Sequence, residues 1–278
     1  MIGQRCVQQQ IKSAIEAKTL ARFIILAGER GSGRKTLAKE VAKWLGTEYA
    51  EVDKGVDAIR EMIEDSYKIT KPIMYVLDGD SMSAVAKSAL LKVTEEPPNN
   101  VYFVFTITDA NRVLDTLASR ASIYRMDHYT ENEISRFAGS EDWRFRYFCS
   151  NKYEVDLLLS YGIDTFHDFV KKVVDNIDVV DSANALKIEE SLALKDSDSG
   201  KYDLKIFLQA FSTECFDRVR QFDEYPEYCP EKLKYLEWIS ITKKEQELLA
   251  STPLLNKVAL MDIWIFDIRA VDYADRKE

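Results

Sequence analysis

The chain has 278 residues, of which 46% are hydrophobic and 31% charged, and its formal net charge is −9. This length is enough for roughly two domains, and the many aromatic side chains argue against large-scale disorder. The acidic balance argues against a stand-alone nucleic-acid-binding protein, which usually needs a basic surplus. It does not exclude a subunit that shares a nucleic-acid channel with basic partners.

Strand and helix patterns alternate through the first half of the chain. Apolar runs predict buried strands at RFIILAG, KPIMYVLDGD, VYFVFTIT and SIYRMD, with a shorter strand at YAEVD. Apolar positions at four-residue spacing predict helices at 36–45 and 83–96, and RVLDTLASR predicts a shorter one. The alternation predicts a parallel sheet covered on both faces, which binds ligands at the carboxyl ends of its strands.

The second half of the chain has helical patterns instead. Strand patterns end near Asp127, and helical spacing follows in ENEISRFAG and YEVDLLLSYGIDTFHDFVKKVVDNI. The polar stretch KDSDSGKYD predicts a connecting loop. Two further helices are predicted from apolar residues that share one face: Leu204, Phe207, Leu208, Phe211, Cys215 and Val219, then Leu254, Val258, Met261, Ile265 and Ile268. A helical bundle is therefore predicted after the sheet domain.

Cysteine and histidine usage indicates an intracellular protein without a metal centre. The four cysteines form no Cys-x-x-Cys pair, which predicts reduced thiols and no zinc site. His128 and His167 have no nearby partner for a triad or a metal, which favours structural roles for both. The chain begins without an apolar signal core and has no apolar run of ~20 residues, so a soluble, cytoplasmic protein with no membrane partner is expected.

The segment after the first predicted strand resembles a phosphate-binding loop. Its glycines leave backbone amides able to wrap an anion at the start of a helix: Gly28, Gly31 and Gly33. A working loop then needs a lysine for the β- and γ-phosphates and a hydroxyl for Mg²⁺, and Arg34 and Lys35 hold these positions. An alternative register brings Lys35 and Thr36 into place but spoils the glycine spacing. A tight turn that binds no ligand is also compatible with the pattern.

The strand MYVLDGD resembles the second element of such ATPases. Asp78 fits the residue that supports the metal, but Gly79 stands where hydrolysing proteins of this fold place an acidic residue that activates water. Asp80 lies one step further and, with strand-end geometry, is predicted to point elsewhere. These losses predict nucleotide binding at most, with no turnover.

The strings ALLKVTEEPP and TLASR, with IGQ near the start, resemble clamp-loader subunits of the AAA+ family, most closely the bacterial DNA polymerase III delta-prime type. The resemblance is close over residues 1–127 and weakens beyond them. It implies an α/β parallel-sheet AAA+ domain at 1–127 and a small all-α lid at 128–180. An all-α C-terminal collar that mediates oligomerisation is implied at 181–278.

The same resemblance implies roles within the chain's own pocket. The phosphate-binding loop comprises Gly28, Gly31, Gly33, Arg34, Lys35 and Thr36, and Asp78 lies at the metal-binding strand end. Thr108 and Asp109 fall on the sensor for the γ-phosphate, where Asp109 replaces the usual asparagine and would repel a phosphate. The lid's second sensor arginine has no counterpart near NKYEVDLLLS, and the four-cysteine zinc module of many relatives is absent between residues 36 and 78.

A further pair is implied to act outside the chain. Ser119 and Arg120 match a Ser-Arg pair whose arginine projects into the neighbouring subunit's ATP site, although Ala121 replaces the cysteine that commonly follows. An arginine supplied in this way raises a phosphoryl-transfer rate by orders of magnitude. An ordinary surface salt bridge is the alternative role for Arg120.

The resemblance therefore implies a non-hydrolysing, delta-prime-like subunit that acts during sliding-clamp loading in DNA replication. The implied partners are gamma/tau-like ATPase subunits, a delta-like subunit and the sliding clamp, with primer–template DNA contacted only within the complex. The implied cofactor is ATP or ADP with magnesium weakly held or absent, and no zinc. The alternatives are an active AAA+ ATPase with an unusual loop and a nucleotide-free scaffold.

Overall fold

The computed structural model describes residues 1–179, 182–194, 200–222, 229–252 and 255–271. The chain divides into two compact units, Met1–Glu133 and Ile134–Glu278. The predicted division into three domains, with a lid separate from a collar, stays a prediction. None of the helices in the described ranges is long and apolar enough to cross a membrane.

The first unit alternates strands with helices, as the sequence predicts. Its elements in chain order are α1 (Arg5–Glu16), β1 (Phe23–Ala27), α2 (Arg34–Leu45), β2 (Glu48–Glu51), α3 (Val56–Ser66), β3 (Ile73–Asp78), α4 (Ala84–Ala89), α5 (Leu91–Glu95), β4 (Val101–Ile107), a short 3-10 helix (Ala110–Arg112), α6 (Asp115–Ala118) and β5 (Ser122–Arg125). Each of the five predicted strands is present.

The five strands form one parallel sheet in the order β2-β3-β4-β1-β5. Strand β1 is buried at every position, as expected for a central strand covered on both faces. The carboxyl ends of three neighbouring strands meet, because Asp78 pairs with Thr106 and Ala27 pairs with Ile107. The loops that follow β3, β4 and β1 therefore leave the sheet side by side.

The sheet separates two apolar layers. On one face, α3, α4 and α5 pack against strand side chains such as Phe103 and Phe105. On the other face, α1 and α2 pack against side chains such as Ile24 and Val104. Alternating strand residues supply the two layers, since successive side chains point to opposite faces. The unit thus has an apolar core on both sides of the sheet and a rigid edge from which the loops project.

Helix boundaries in the first unit differ in detail from the predicted ones. Helix α2 begins at Arg34, two residues early, because Gly33 adopts a left-handed conformation with φ of 90° and serves as the N-cap. Ser83 caps the next helix as predicted, and its hydroxyl accepts from the Ala86 amide at 3.2 Å. The predicted helix over 83–96 is divided at Leu90 into α4 and α5.

The described residues of the second unit form helices joined by loops, with one isolated bridge between Leu192 and Tyr202. Its helices are α7 (Glu131–Ala138, which begins in the first unit), α8 (Trp143–Phe148), α9 (Lys152–Tyr161), α10 (Ile163–Asn176), α11 (Ser182–Ser191), α12 (Leu204–Arg220), α13 (Pro230–Ser251) and α14 (Lys257–Ala270). Gly162 separates α9 from α10. The predicted stripe of α12 is buried along its length. Leu254 of the second stripe and residues 195–199 of the predicted loop lie outside the described residues.

A buried hydrogen-bonded pair lies inside the second unit. His167 Nε2 lies 3.0 Å from Glu214 Oε2, and both side chains are buried. Burial opposes ionisation of Glu214, but hydrogen bonds from His167 and Arg218 outweigh that effect and lower its pKa. His167 is thus held within the helical core, in the structural role that the sequence favours, whereas His128 is exposed.

Candidate nucleotide pocket and exposed arginine

The candidate pocket lies where the loops after β1, β3 and β4 leave the sheet. The loop after β1 has the shape that the glycines predict, with positive φ at Gly31 and Gly33. The Ser32 amide donates to the Glu29 carbonyl at 3.1 Å, which curls the chain back before α2 begins. The first amides of a helix have no partner within it and attract negative charge. The backbone amides of this loop can therefore bind an anion.

The cation at the lysine position of this loop is held by the chain's own carboxylate. Arg34 Nη1 lies 3.1 Å from Asp80 Oδ2, and the two side chains are only 14% and 27% exposed. Asp80 also accepts from the Thr108 amide at 2.9 Å and from the Thr108 hydroxyl at 2.8 Å. The expectation that Asp80 points elsewhere is therefore wrong, because the turn after β3 directs its side chain across the end of β4.

The Asp80 carboxylate stays ionised in this setting. Burial alone would raise its pKa, but the Thr108 amide, the Thr108 hydroxyl and Arg34 together outweigh burial and lower it. Thr108 is thus a donor to a carboxylate within the chain. Asp109, the other predicted sensor residue, is exposed and caps the 3-10 helix by accepting from the Asn111 amide at 2.9 Å.

Lys35 is directed to a different part of the molecule. Its Nζ lies 2.8 Å from Glu51 Oε2 at the end of β2, and the lysine side chain is 52% exposed. The hydrogen bond from Lys35 is the main reason that the pKa of Glu51 is lowered. Thr36 is exposed on the first turn of α2. This arrangement does not support the alternative register in which Lys35 and Thr36 serve a bound phosphate.

Gly79 leaves no space for the acidic residue that hydrolysis requires. A Cβ placed on Gly79 would lie 2.2–2.9 Å from atoms of the Phe105 ring. Phe105 is completely buried beneath the pocket, within the core layer that includes α4. A larger side chain at position 79 would have to displace that ring, so the water-activating carboxylate is excluded by packing as well as by sequence.

The side chains at the metal-binding position do not fit Mg²⁺. Asp78 Oδ1 accepts from the Asp80 amide at 3.2 Å and so forms part of the turn after β3. Lys35 replaces the hydroxyl ligand, and a cation cannot coordinate another cation. Within the described ranges, no group of three or more His, Cys, Asp or Glu side chains is arranged to hold a metal ion. No step that depends on magnesium is supported here.

Residues at the two ends of the first unit close against the loop. The Tyr129 hydroxyl donates to the Ser32 carbonyl at 2.7 Å, and a Cβ on Gly33 would lie 2.7 Å from Met1 Cε and 2.9 Å from the Tyr129 hydroxyl. Gln4 exchanges two hydrogen bonds of 2.7 Å with the backbone of Asp127. Tyr129 was not among the predicted site residues, although its position just after the fifth strand places it at the same edge as the loop.

The paired and unpaired polar groups of the loop include one buried hydroxyl, that of Ser32. Its residue is buried, and Ser32 Oγ has no hydrogen-bond partner among the described residues. It lies 2.9 Å from where a Cβ on Gly28 would be, which places it inside the curl of the loop. A buried hydroxyl without a partner costs about 1–3 kcal/mol, so this atom favours a ligand that accepts or donates a hydrogen bond.

Arg120 lies at the opposite edge of the sheet from this pocket. It precedes β5, whose first residue Ser122 pairs with Ile24, whereas the loop begins beyond Ala27. Three strand residues separate these levels, which corresponds to about 10 Å. Arg120 is 31% exposed, donates to the Thr116 carbonyl and forms an ion pair with Glu95, which is 51% exposed. Ser119 is adjacent, with its Oγ 3.4 Å from Arg120 Nη1.

The comparisons with known proteins agree with this architecture. The family profile described as "DNA polymerase III, delta subunit" matches residues 48–130. DNA polymerase III subunit gamma/tau of Mycoplasma pneumoniae is 30% identical over 49% of this chain and 24% of its own length. Subunit tau of Bacillus subtilis is 21% identical over 93% of this chain and 51% of its own length. The chain thus spans between about a quarter and a half of these curated relatives.

A solved structure supports the fold alone. The Thermotoga maritima RuvB Holliday junction branch migration motor aligns with a TM-score of 0.50 and 16% identity, over 94% of this chain and 88% of that one. Together with the parallel sheet, the loop geometry and the helical second unit, this confirms the predicted fold class, an AAA+ sheet domain followed by helices. In sequence, the first unit is thus similar to clamp-loader subunits of DNA polymerase III.

Proposed function

We propose that the chain is a non-hydrolysing, delta-prime-like subunit of a DNA polymerase clamp loader. It supplies Arg120, with Ser119 beside it, to the ATP site of a neighbouring ATPase subunit during clamp loading. The partners would be gamma/tau-like ATPase subunits, a delta-like subunit and the sliding clamp. Primer–template DNA would be contacted only as part of the complex, since the chain's net charge of −9 disfavours binding DNA alone.

One observation carries this proposal: Arg120 and the chain's own pocket lie at opposite edges of one sheet. An arginine at the amino edge cannot contact a phosphate bound at the carboxyl edge of the same sheet, about 10 Å or more away. If Arg120 stabilises a phosphoryl group, that group belongs to another subunit. The exposed ion pair with Glu95 leaves the guanidinium on the surface, where a neighbour can contact it.

The arrangement of the pocket argues against ATP hydrolysis by this chain. Its arginine is paired with Asp80, Gly79 excludes a water-activating carboxylate, and Lys35 is paired with Glu51. Phosphoryl transfer depends on placing a metal and cations around the developing charge. Two of these arrangements pair the cations with the chain's own carboxylates, and the third leaves no carboxylate to activate water. They argue against the alternative of an active ATPase that uses Lys35 in a shifted register.

The test is a reconstituted complex with the gamma/tau-like and delta-like subunits of the same source. Arg120→Ala is expected to lower the DNA-stimulated ATPase rate by about 10³-fold, the lower end of the effect of an arginine supplied in trans. Arg112→Ala is the matched control, since Arg112 is an exposed arginine of the same region, and it should leave the rate unchanged.

Assembly must be checked at the same time, by size-exclusion chromatography of each complex. An intact complex containing Arg120→Ala with a normal ATPase rate would refute the proposed role. Metal-dependent ATP turnover by the purified chain alone, abolished by Lys35→Ala, would instead favour an active ATPase. Calorimetry with ATP and ADP distinguishes a nucleotide-binding subunit from a nucleotide-free scaffold.

A further inference from the structure

Asp80 occupies a position in the pocket where several donors converge on one anion. The Arg34 guanidinium, the Thr108 amide and the Thr108 hydroxyl all contact its carboxylate, at 2.8–3.1 Å. These donors come from α2 and from the end of β4, whereas Asp80 comes from the turn after β3. A phosphate oxygen accepts the same kinds of hydrogen bond, from arginine, a hydroxyl and a backbone amide.

The surroundings of this carboxylate indicate more than a structural ion pair. Arg34 begins α2, so the unpartnered amides of the helix start lie next to the same cation. The Ser32 hydroxyl is buried inside the loop without a partner among the described residues. The loop thus keeps two groups able to bind a larger anion, while its cation is already bound by Asp80.

We propose that the Asp80 carboxylate is an internal ligand of a latent phosphate site. Removing its charge would free Arg34 and let the loop bind a polyphosphate, either the triphosphate of a nucleotide or free tripolyphosphate. This inference concerns the chain's own pocket and holds whether or not Arg120 serves a neighbouring subunit.

The intramolecular position of Asp80 gives it an advantage over a dissolved phosphate. A tethered group acts at an effective concentration of about millimolar or above, so a ligand in solution must exceed that to displace it. Burial and the Thr108 hydrogen bonds further restrict the carboxylate to this location. Neutral asparagine keeps the size of the side chain and can still accept from the Thr108 amide, but it does not pair with Arg34 as an ion.

The experiment is isothermal titration calorimetry of the full chain with magnesium-free ATP and, separately, inorganic tripolyphosphate. Asp80→Asn is expected to bind both at least about tenfold more tightly than the wild type, equivalent to ~1.4 kcal/mol. The matched control is Asp57→Asn, which removes the same charge from a fully exposed residue of α3 and should leave both affinities unchanged. Adding Arg34→Ala to Asp80→Asn should abolish the gain.

Three outcomes would overturn the inference. These are an Asp80→Asn chain that binds no more tightly than the wild type, a gain that survives Arg34→Ala, and a gain for ATP without one for tripolyphosphate. Circular dichroism establishes that each variant is folded, and Asp80→Ser replaces Asp80→Asn if the latter does not fold. None of these results bears on the ATPase rate of the complex with Arg120→Ala, so the two proposals can fail separately.

Discussion

Arg34 and Arg120 belong to the same unit, but their surroundings differ in burial and in the number of contacts. Arg34 is 14% exposed and pairs with a carboxylate that Thr108 holds through two further hydrogen bonds. Arg120 is 31% exposed and pairs with Glu95, an exposed residue at the end of α5. One guanidinium lies at the carboxyl edge of the sheet and the other beyond its amino edge.

The difference indicates which arginine is more easily released from its own carboxylate. Hydrogen bonds to charged groups contribute about 1.5–3 kcal/mol each when partly shielded from water, so releasing Arg34 from Asp80 is costly. An exposed ion pair contributes only about 0–1 kcal/mol. A phosphate group of another subunit could therefore replace Glu95 as the partner of Arg120 at little cost. The pocket and the exposed edge both contain an arginine, but they differ in the free energy needed to release it from its carboxylate.

Restoring an acidic residue in the pocket should produce the largest effect on stability. Gly79→Glu is expected to lower the free energy of unfolding by about 3 kcal/mol, because the new side chain must displace the buried Phe105 ring. Gly55→Glu is the matched control, since a Cβ at Gly55 meets nothing within 4 Å. Urea denaturation measures both, and equal stability of the two variants would contradict the steric explanation.

Replacing each arginine with alanine should have the next largest effect, and the loss of stability should differ between the two regions. Arg34→Ala is expected to cost about 2 kcal/mol of unfolding free energy, since it leaves Asp80 partly buried without its cation. Arg120→Ala should cost less than about 1 kcal/mol, as expected for a surface pair. If both variants lose the same stability in urea denaturation, the two environments do not differ in the way proposed here.

The pH dependence of stability should also distinguish the pocket. The folded-state pKa of Asp80 is lowered, so its contribution is fully present above the unfolded pKa of about 3.9 and is lost as pH falls through the folded value. The stability difference between wild type and Asp80→Asn should therefore be constant from about pH 5 to 8 and shrink below about pH 4. Thermal unfolding across this range measures it. A difference that grows on acidification would have the wrong sign.

Neutralising the partner of Arg120 should have the smallest effect. Glu95→Gln is expected to raise the rate at which phenylglyoxal modifies Arg120 by about two- to fivefold. This is the factor expected from losing an exposed ion pair that stabilises the guanidinium by less than about 1 kcal/mol. Peptide mass spectrometry measures modification at that position. Glu96→Gln is the matched control on the adjacent exposed carboxylate and should leave the rate unchanged. Equal rates in all three proteins would mean that Glu95 does not restrain the guanidinium.

Much of the first unit was predictable because its signals are local. Strand β1 is apolar at each position, and the glycines of the loop indicate a sharp turn before α2. Helix α3 was missed, although its buried Ile59 and Met62 follow helical spacing. The division of the predicted helix at Leu90 has no comparable signal in the sequence.

The candidate site could be predicted only in part. The sequence indicated which residues border the pocket, since loops after parallel strands share one edge. It did not indicate that Asp80 reaches Arg34, because strand order decides which loops are neighbours and β4 lies between β3 and β1. Nor did it indicate that Phe105 lies under Gly79, 26 residues earlier in the chain, since that contact depends on the register of two strands.

The amino-acid sequence by itself determined the five strands, the turn of the loop, and the presence of Arg34 and Gly79 where an ATPase of this fold would have a lysine and an acid, because periodicity and residue chemistry act within a few positions. Only the tertiary structure decided what the remaining charges contact. It set Asp80 against Arg34 and placed Arg120 at the opposite edge. The physical reason is that ion pairs form between side chains that strand pairing brings together, whatever their separation along the chain.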